Sequence, residues 1–332
     1  MPITGNEQVV PARQASAKRR LEAASFMAVF VICLCAQSLG YGQADSATNV
    51  VVAVGDISCD PSDSRFNHGQ GTRKNCHMHA TSDLAMSMKP VAVLILGDSQ
   101  YEKGAPAAFQ KSWIRNWGRD ELRDITYPSV GNHEYYTLGA SGYFDFFGSR
   151  AGDRDKGYYS FDIGSWHLVA LNTGSNNRCK PLSCDDNSSQ EKWLREDLKN
   201  RKATCTLAFW HRPLFTSGHH RNAVEVRPFW RDLYNEHADL ILNGHEHQYE
   251  RFAPQTPDGA ADRQRGLTQF VVGTGGKNLT RFWRKQANSL VRMSNSYGIL
   301  KLELRTKSYA WQFVSEEGHV LDSGEAQCHG KQ

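Results

Sequence analysis

Residues 91–98 read VAVLILGD and residues 49–56 read NVVVAVGD, two unbroken apolar runs that each stop at Gly-Asp. Runs this short and this continuous are strands buried on both faces, the pattern of a mostly parallel sheet covered by helices. The phrase returns at WHLVALNT (166–173), CTLAFWH (205–211), ADLILNGHEH (238–247) and QFVVGTGG (269–276). Helices are expected between them. Residues 105–117 carry apolar side chains at helical intervals, and residues 190–200 follow Ser188 with Glu191 three positions on, a capping-box arrangement. Strands alternating with helices give an α/β layered fold. Near the end, YGILKLEL (297–304) and YAWQFV (309–314) alternate more and read as an antiparallel pair covering one edge. No Pro-, Gly- or Ser-rich linker, repeat or low-complexity tract interrupts Thr48 to Cys328, so one domain is the simplest account.

Composition agrees. The chain has 332 residues, 39% of them hydrophobic, with 39 Lys+Arg against 35 Asp+Glu for a net charge of +4. Such a chain is too apolar and too evenly charged to be disordered. The small positive balance gives no reason to expect nucleic acid binding through phosphate neutralisation.

Lys18, Arg19 and Arg20 precede the apolar run AASFMAVFVICLCA (23–36), and small and polar residues follow up to Ala44. This is the layout of a secretory signal peptide over residues 1–44, with the mature chain at 45–332. The alternative, an uncleaved membrane anchor, is disfavoured because a helix needs about 20 apolar residues to span a bilayer. Cleavage there makes the protein secreted or periplasmic, with no membrane partner, and leaves six cysteines: Cys59, Cys76, Cys179, Cys184, Cys205 and Cys328. An even count in an exported chain reads as disulfides, and the sequence leaves the pairing open. Cys179 and Cys184 flank the short loop CKPLSC, and Cys328 could tie the tail to Cys205. A zinc site is the rival, but no CxxC pair occurs.

The polar residues fall where chemistry would need them. Asp56, Asp98, Asn132 with His133, His211, and His245 with His247 each stand at the carboxyl end of an apolar run or just beyond it. In open α/β sheets that edge binds ligands, because turns converge there on strands that hold their positions. One Asp after a strand is usually a cap or a turn, and one strand-end His is usually structural. Two carboxylates, an amide and three imidazoles together form a mixed oxygen and nitrogen set suited to Fe, Mn or Zn. The stretch VVGTGG (271–276) lacks the Lys-Ser/Thr of a P-loop and reads as a tight strand exit. Arg251 reads as one half of an ion pair bracing its loop. A GxSxG elbow is absent, which removes the serine hydrolase reading.

The blocks GDIS (55–58), GDSQY (97–101), GNHE (131–134), AFWH (208–211) and GHEH (244–247) occur in order. They resemble those of the calcineurin-like metallophosphoesterases, and specifically the purple acid phosphatases. Many metallophosphoesterases place a His two residues after the first Asp, where this chain has Ser58; purple acid phosphatases instead use a Tyr three residues after the bridging Asp, which matches Tyr101. Ser58 departs from the Gly usual there. The resemblance implies a four-layer αββα sandwich of two mixed β-sheets flanked by helices. It also implies a dinuclear metal centre, Fe(III) plus a divalent Fe, Zn or Mn. One metal would take Asp56, Asp98, Tyr101 and His247, the other Asp98, Asn132, His211 and His245, with Asp98 bridging.

The reaction implied is hydrolysis of a small phosphomonoester by attack of a hydroxide that the metals generate. His133 is the candidate proton donor to the leaving alcohol. By the same resemblance a second histidine lines the pocket, either His220 or its neighbour His219. Two other readings remain: a phosphodiesterase or nucleotidase on the same site, and a non-catalytic exported metal-binding protein.

Overall fold

The apolar runs form the central strands of two sheets in the computed structural model, which describes residues 48–175 and 179–330. The leader expected over residues 1–44 lies outside them. In chain order the strands are β1 (Asn49–Val54), β2 (Ala92–Leu96), β3 (Thr126–Ser129), β4 (Tyr159–Ile163), β5 (Trp166–Ala170), β6 (Cys205–Phe209) and β7 (Leu240–Asn243). They continue with β8 (Tyr249–Phe252), β9 (Thr268–Val272), β10 (Ser289–Met293), β11 (Gly298–Leu304), β12 (Ser308–Ser315) and β13 (Val320–Gln327). The helices are α1 (Met78–Ser87), α2 (Pro106–Lys111), α3 (Asp120–Arg123), α4 (Ser141–Phe147), α5 (Ser189–Asn200) and α6 (Arg227–Asn235).

One sheet runs β13-β12-β11-β1-β2-β3 and the other β10-β8-β9-β7-β6-β5-β4. Both are mixed. β1, β2 and β3 are parallel, as are β5, β6, β7 and β9, while the outer strands are antiparallel. The pair read at 297–304 and 309–314 is β11 and β12, joined by β13 as the edge.

Period-two alternation explains the layering. In the second sheet Leu168, Leu207, Phe209, Leu240, Leu242 and Phe270 join the core shared with the first sheet. Their neighbours Val169, Ala208, Ile241 and Val271 turn the other way, onto Leu194 and Leu198 of α5 and Phe229, Trp230 and Leu233 of α6. All five side chains of β2 are fully buried, each large one contributing about 1.5–3 kcal/mol. The architecture is the αββα sandwich with flanking helices.

α5 begins as its sequence requires: the Ser188 hydroxyl accepts from the Glu191 N–H at 3.2 Å, and the Glu191 carboxylate reaches back to the Asn187 N–H at 2.9 Å. The helix expected over 105–117 is shorter. After α2 the chain makes only a 3-10 turn at Trp113–Arg115. The buried Gln100 side chain accepts the Trp113 N–H at 3.2 Å, which takes that donor out of a helical ladder. Disulfides join Cys179 to Cys184 and Cys205 to Cys328, as the sequence suggested, and Cys59 to Cys76. Among the described residues no helix is long and apolar enough to cross a membrane.

Candidate metal centre

β1 and β2 end with their last apolar residues, Val54 and Leu96, and the Gly-Asp pairs that follow turn to face the rim. β2 ends at Leu96, and Gly97 bends the chain with φ +83°, where a side chain would strike the His211 ring at 2.5 Å. Gly131 is likewise required, since a Cβ there would lie 2.1 Å from the Asp98 backbone and carboxylate. Asp56, Asp98 and His245 themselves adopt left-handed φ of 60°, 46° and 72°. Such conformations cost roughly 1–3 kcal/mol each and persist only when the surroundings fix them.

The turns bring the seven candidate ligands together. The Tyr101 hydroxyl lies 2.8 Å from Asp56 Oδ1, 3.0 Å from His247 Nε2 and 3.1 Å from Asp98 Oδ2. On the other side of Asp98, the same Oδ2 lies 3.2 Å from His211 Nε2. That nitrogen is 3.1 Å from both Asn132 Oδ1 and His245 Nδ1. Two clusters of donor atoms therefore meet at one carboxylate oxygen. Asp98 Oδ1 accepts the His133 N–H at 2.9 Å, so the second oxygen of the carboxylate aims the neighbouring histidine.

The chemistry of this donor set fits cations. The Tyr101 hydroxyl has one proton and three acceptors around it. His211 Nδ1 donates to the Leu96 carbonyl at 2.8 Å, and His247 Nδ1 to the Asn278 carbonyl at 2.7 Å. With each Nδ1 so engaged, each Nε2 is turned toward the oxygens of the site, where a proton or a metal ion offsets the carboxylate charge. Burial pulls His211 down, and the facing Asp98 and Asp56 carboxylates outweigh it, lifting the imidazole to about 9. Burial, with His211 and His220 nearby, holds His245 well below the usual range and so neutral. Tyr101 is raised far above an ordinary phenol by burial and by the Asp56 and Asp98 charges, so its ionisation needs a strongly acidic partner.

Above the clusters opens a pocket of about 420 Å³ whose lining includes His133, Tyr136, Arg212, His220, Asn278 and Thr280. His133 Nδ1 donates to the Glu102 carbonyl at 2.7 Å, which directs Nε2 to within 3.9 Å of Asp98 Oδ2. Burial lowers its pKa, partly offset by Asp98. His220 lines the pocket, whereas His219 turns its ring edge-on to Trp283 at 5.2 Å.

Several residues at the site carried no sequence signal. The buried Glu134 carboxylate accepts the N–H groups of Asp98 (3.1 Å), Gln100 (3.1 Å) and Gly131 (2.8 Å), locking two site loops to each other. Burial and the Asp98 charge raise it to about 8. Glu246 does the same for His219 and His220, accepting their N–H groups at 3.1 and 2.7 Å. Arg212 enters the pocket paired with Glu225 at 2.9 Å. Only the acids inside GNHE and GHEH were visible beforehand, as letters in a motif. Ser58 is fully buried, and its hydroxyl has no partner among the described residues. The Gly-rich stretch after β9 serves as a strand exit, with Val272 O and Gly275 N bonded to the Gly55 backbone at 2.8 and 3.0 Å. Arg251 is an ion-pair partner, held by both oxygens of Asp322 at 2.7 and 2.9 Å.

Similarity to known proteins follows this geometry. The sequence model described as calcineurin-like phosphoesterase matches residues 50–249. Purple acid phosphatase 15 of Arabidopsis thaliana is 31% identical over 134 residues, covering 36% of this chain and 24% of its own length. An uncharacterized Mycobacterium tuberculosis protein, Rv2577, is 24% identical over 260 residues, covering 65% of this chain and 48% of its own. The chain thus spans less than half the length of these curated relatives. Among solved structures, the purple acid phosphatase PPD1 of yellow lupin (Lupinus luteus) superposes with TM-score 0.66 at 19% identity, over 85% of this chain and 54% of that one. The chain is similar to purple acid phosphatases, and it belongs to the calcineurin-like phosphoesterase family.

Proposed function

We propose that the chain is an exported phosphatase that hydrolyses phosphomonoesters at a dinuclear metal centre. The observation that carries this reading is the sharing of Asp98 Oδ2 between the two donor clusters, 3.1 Å from Tyr101 and 3.2 Å from His211. Asp56, Asp98, Tyr101 and His247 would hold one metal, and Asp98, Asn132, His211 and His245 the other. Fe(III) suits the first set, in which two carboxylates and a phenol accompany one imidazole, and a divalent Fe, Zn or Mn the second. Bound there, the pair supplies Lewis acidity, acidifying water and clamping phosphoryl oxygens.

The chain's own groups do the rest. His133, oriented by the Glu102 carbonyl, offers Nε2 to the pocket and donates a proton to the departing alcohol. The lowering of its pKa by burial makes that proton easier to give. Arg212, steadied by Glu225, provides a guanidinium for a phosphoryl oxygen. His220, its Nδ1 3.2 Å from Glu246, orients the ester from the opposite wall. Export agrees with the leader at residues 1–44 and with all six remaining cysteines being paired.

Elemental analysis, a visible absorption spectrum and turnover of p-nitrophenyl phosphate against its bis-ester test this together. The expected result is two metals per chain, an iron-to-phenolate band lost in Tyr101→Phe, and preference for the monoester. Preference for the bis-ester makes the protein a phosphodiesterase. A metal-replete chain that turns over neither makes it a binding protein.

A further inference from the structure

Next to the catalytic pocket lies a second depression, of about 360 Å³, lined among others by Arg221, Asn222, Trp283, Arg284 and Gln286. His220 faces the first depression and Arg221 the second. The two depressions therefore share a wall built from consecutive residues. No carboxylate lines the second depression, and among the described residues neither guanidinium has an ion-pair partner. The segment that carries Trp283 and Arg284, residues 278–288, also holds Arg281 and Lys285 and contains no acid.

The frame is built rather than floppy. The N–H groups of Trp283 and Arg284 both donate to the Ser217 carbonyl, at 2.9 and 3.1 Å. The Gln286 N–H donates to the Ser217 hydroxyl at 3.0 Å. Ser217 in turn is held by the buried Glu250 carboxylate, through its N–H at 2.8 Å and its hydroxyl at 2.5 Å. The wall that carries Trp283, Arg284 and Gln286 therefore hangs from one anchored serine. On that frame Trp283 stands 69% exposed, braced by the edge of His219. An exposed tryptophan between two unpaired arginines offers an apolar wall and charge-assisted donors, which is what a phosphoryl group on a short carbon skeleton uses.

We propose that this depression is a second anion subsite, and that the enzyme favours small phosphomonoesters carrying a second phosphoryl group. The inference rests on the phosphomonoesterase reading above. The scissile phosphoryl group occupies the metal pocket while Arg221 and Arg284 hold the other, with the intervening carbons against Trp283.

The test compares fructose 1,6-bisphosphate with fructose 6-phosphate in the metal-loaded enzyme and in an Arg221→Gln/Arg284→Gln variant. The wild type should favour the bisphosphate in kcat/KM by about tenfold, mainly through KM, and the variant should lose that preference. Equal constants for the two esters in the wild type, or a preference that survives both substitutions, overturns the subsite. If the wild type hydrolyses neither ester nor p-nitrophenyl phosphate, the functional reading fails, and in either case a fluorescence titration decides the subsite by itself. The bisphosphate should then saturate the Trp283 signal, identified by its absence in Trp283→Phe, at a concentration about tenfold below the monophosphate. No saturable response, or equal midpoints, overturns it.

Discussion

The two halves of the candidate centre differ in what they offer a cation. The half made by Asp56, Tyr101 and His247 is rich in anionic oxygen, and the ammonium of Lys277 lies over the Tyr101 ring at 4.5 Å, closing it from above. The half made by Asn132, His211 and His245 offers neutral oxygen and nitrogen and opens onto the pocket with His220 and Arg212. Hard anionic donors favour a trivalent ion and neutral imidazoles a borderline divalent one. The asymmetry turns on one atom: Asp98 Oδ2 faces both donor sets, Tyr101 at 3.1 Å and His211 at 3.2 Å, while Oδ1 is kept for the His133 N–H.

The comparison can be broken at its shared point. Asp98→Asn should lower kcat/KM by about a thousandfold or more, with loss of both metals on elemental analysis. His133→Ala belongs to neither half, so it should lower kcat by about a hundredfold while metal content stays that of the wild type. Tyr101→Phe and His245→Ala sharpen the contrast. Each should weaken one metal about 10- to 100-fold and spare the other, and equal loss of both in either variant would erase the proposed asymmetry.

A histidine far from the rim supplies the smallest effect and a useful contrast. His167 sits between Asp162 and Asp197, each nitrogen 2.7 Å from a carboxylate oxygen. Burial disfavours its charge, and the two carboxylates outweigh burial and raise its pKa. Because the folded value is raised, its contribution is full below the unfolded imidazole pKa and fades as pH climbs through the folded one. Thermal unfolding of the wild type should lose a few degrees across that window relative to His167→Gln. A pH-independent difference would show that this imidazole is not the charged kind.

What the sequence disclosed follows from physical causes. β1, β2, β6, β7 and β9 were legible because strands buried on both faces leave continuous apolar runs, and the site residues because they end those runs. β3, with its Pro128, and the half-exposed β4, β10 and β13 left only short or alternating signals. The end of α2 was invisible because Gln100, distant in the chain, takes the donor that would have continued the helix. Glu134, Glu246 and Glu250 hold loops through backbone N–H groups, which no spacing rule marks. Tyr136 and Trp283 are exposed at the mouths of depressions formed only on folding.

The left-handed backbone at Asp56, Asp98 and His245 has a consequence for anyone improving this protein. Glycine at any of the three would relax the main chain and erase a donor atom in the same step. A library screened for heat tolerance alone would therefore enrich hardy but inert clones at these positions. Robustness and activity must be selected together here.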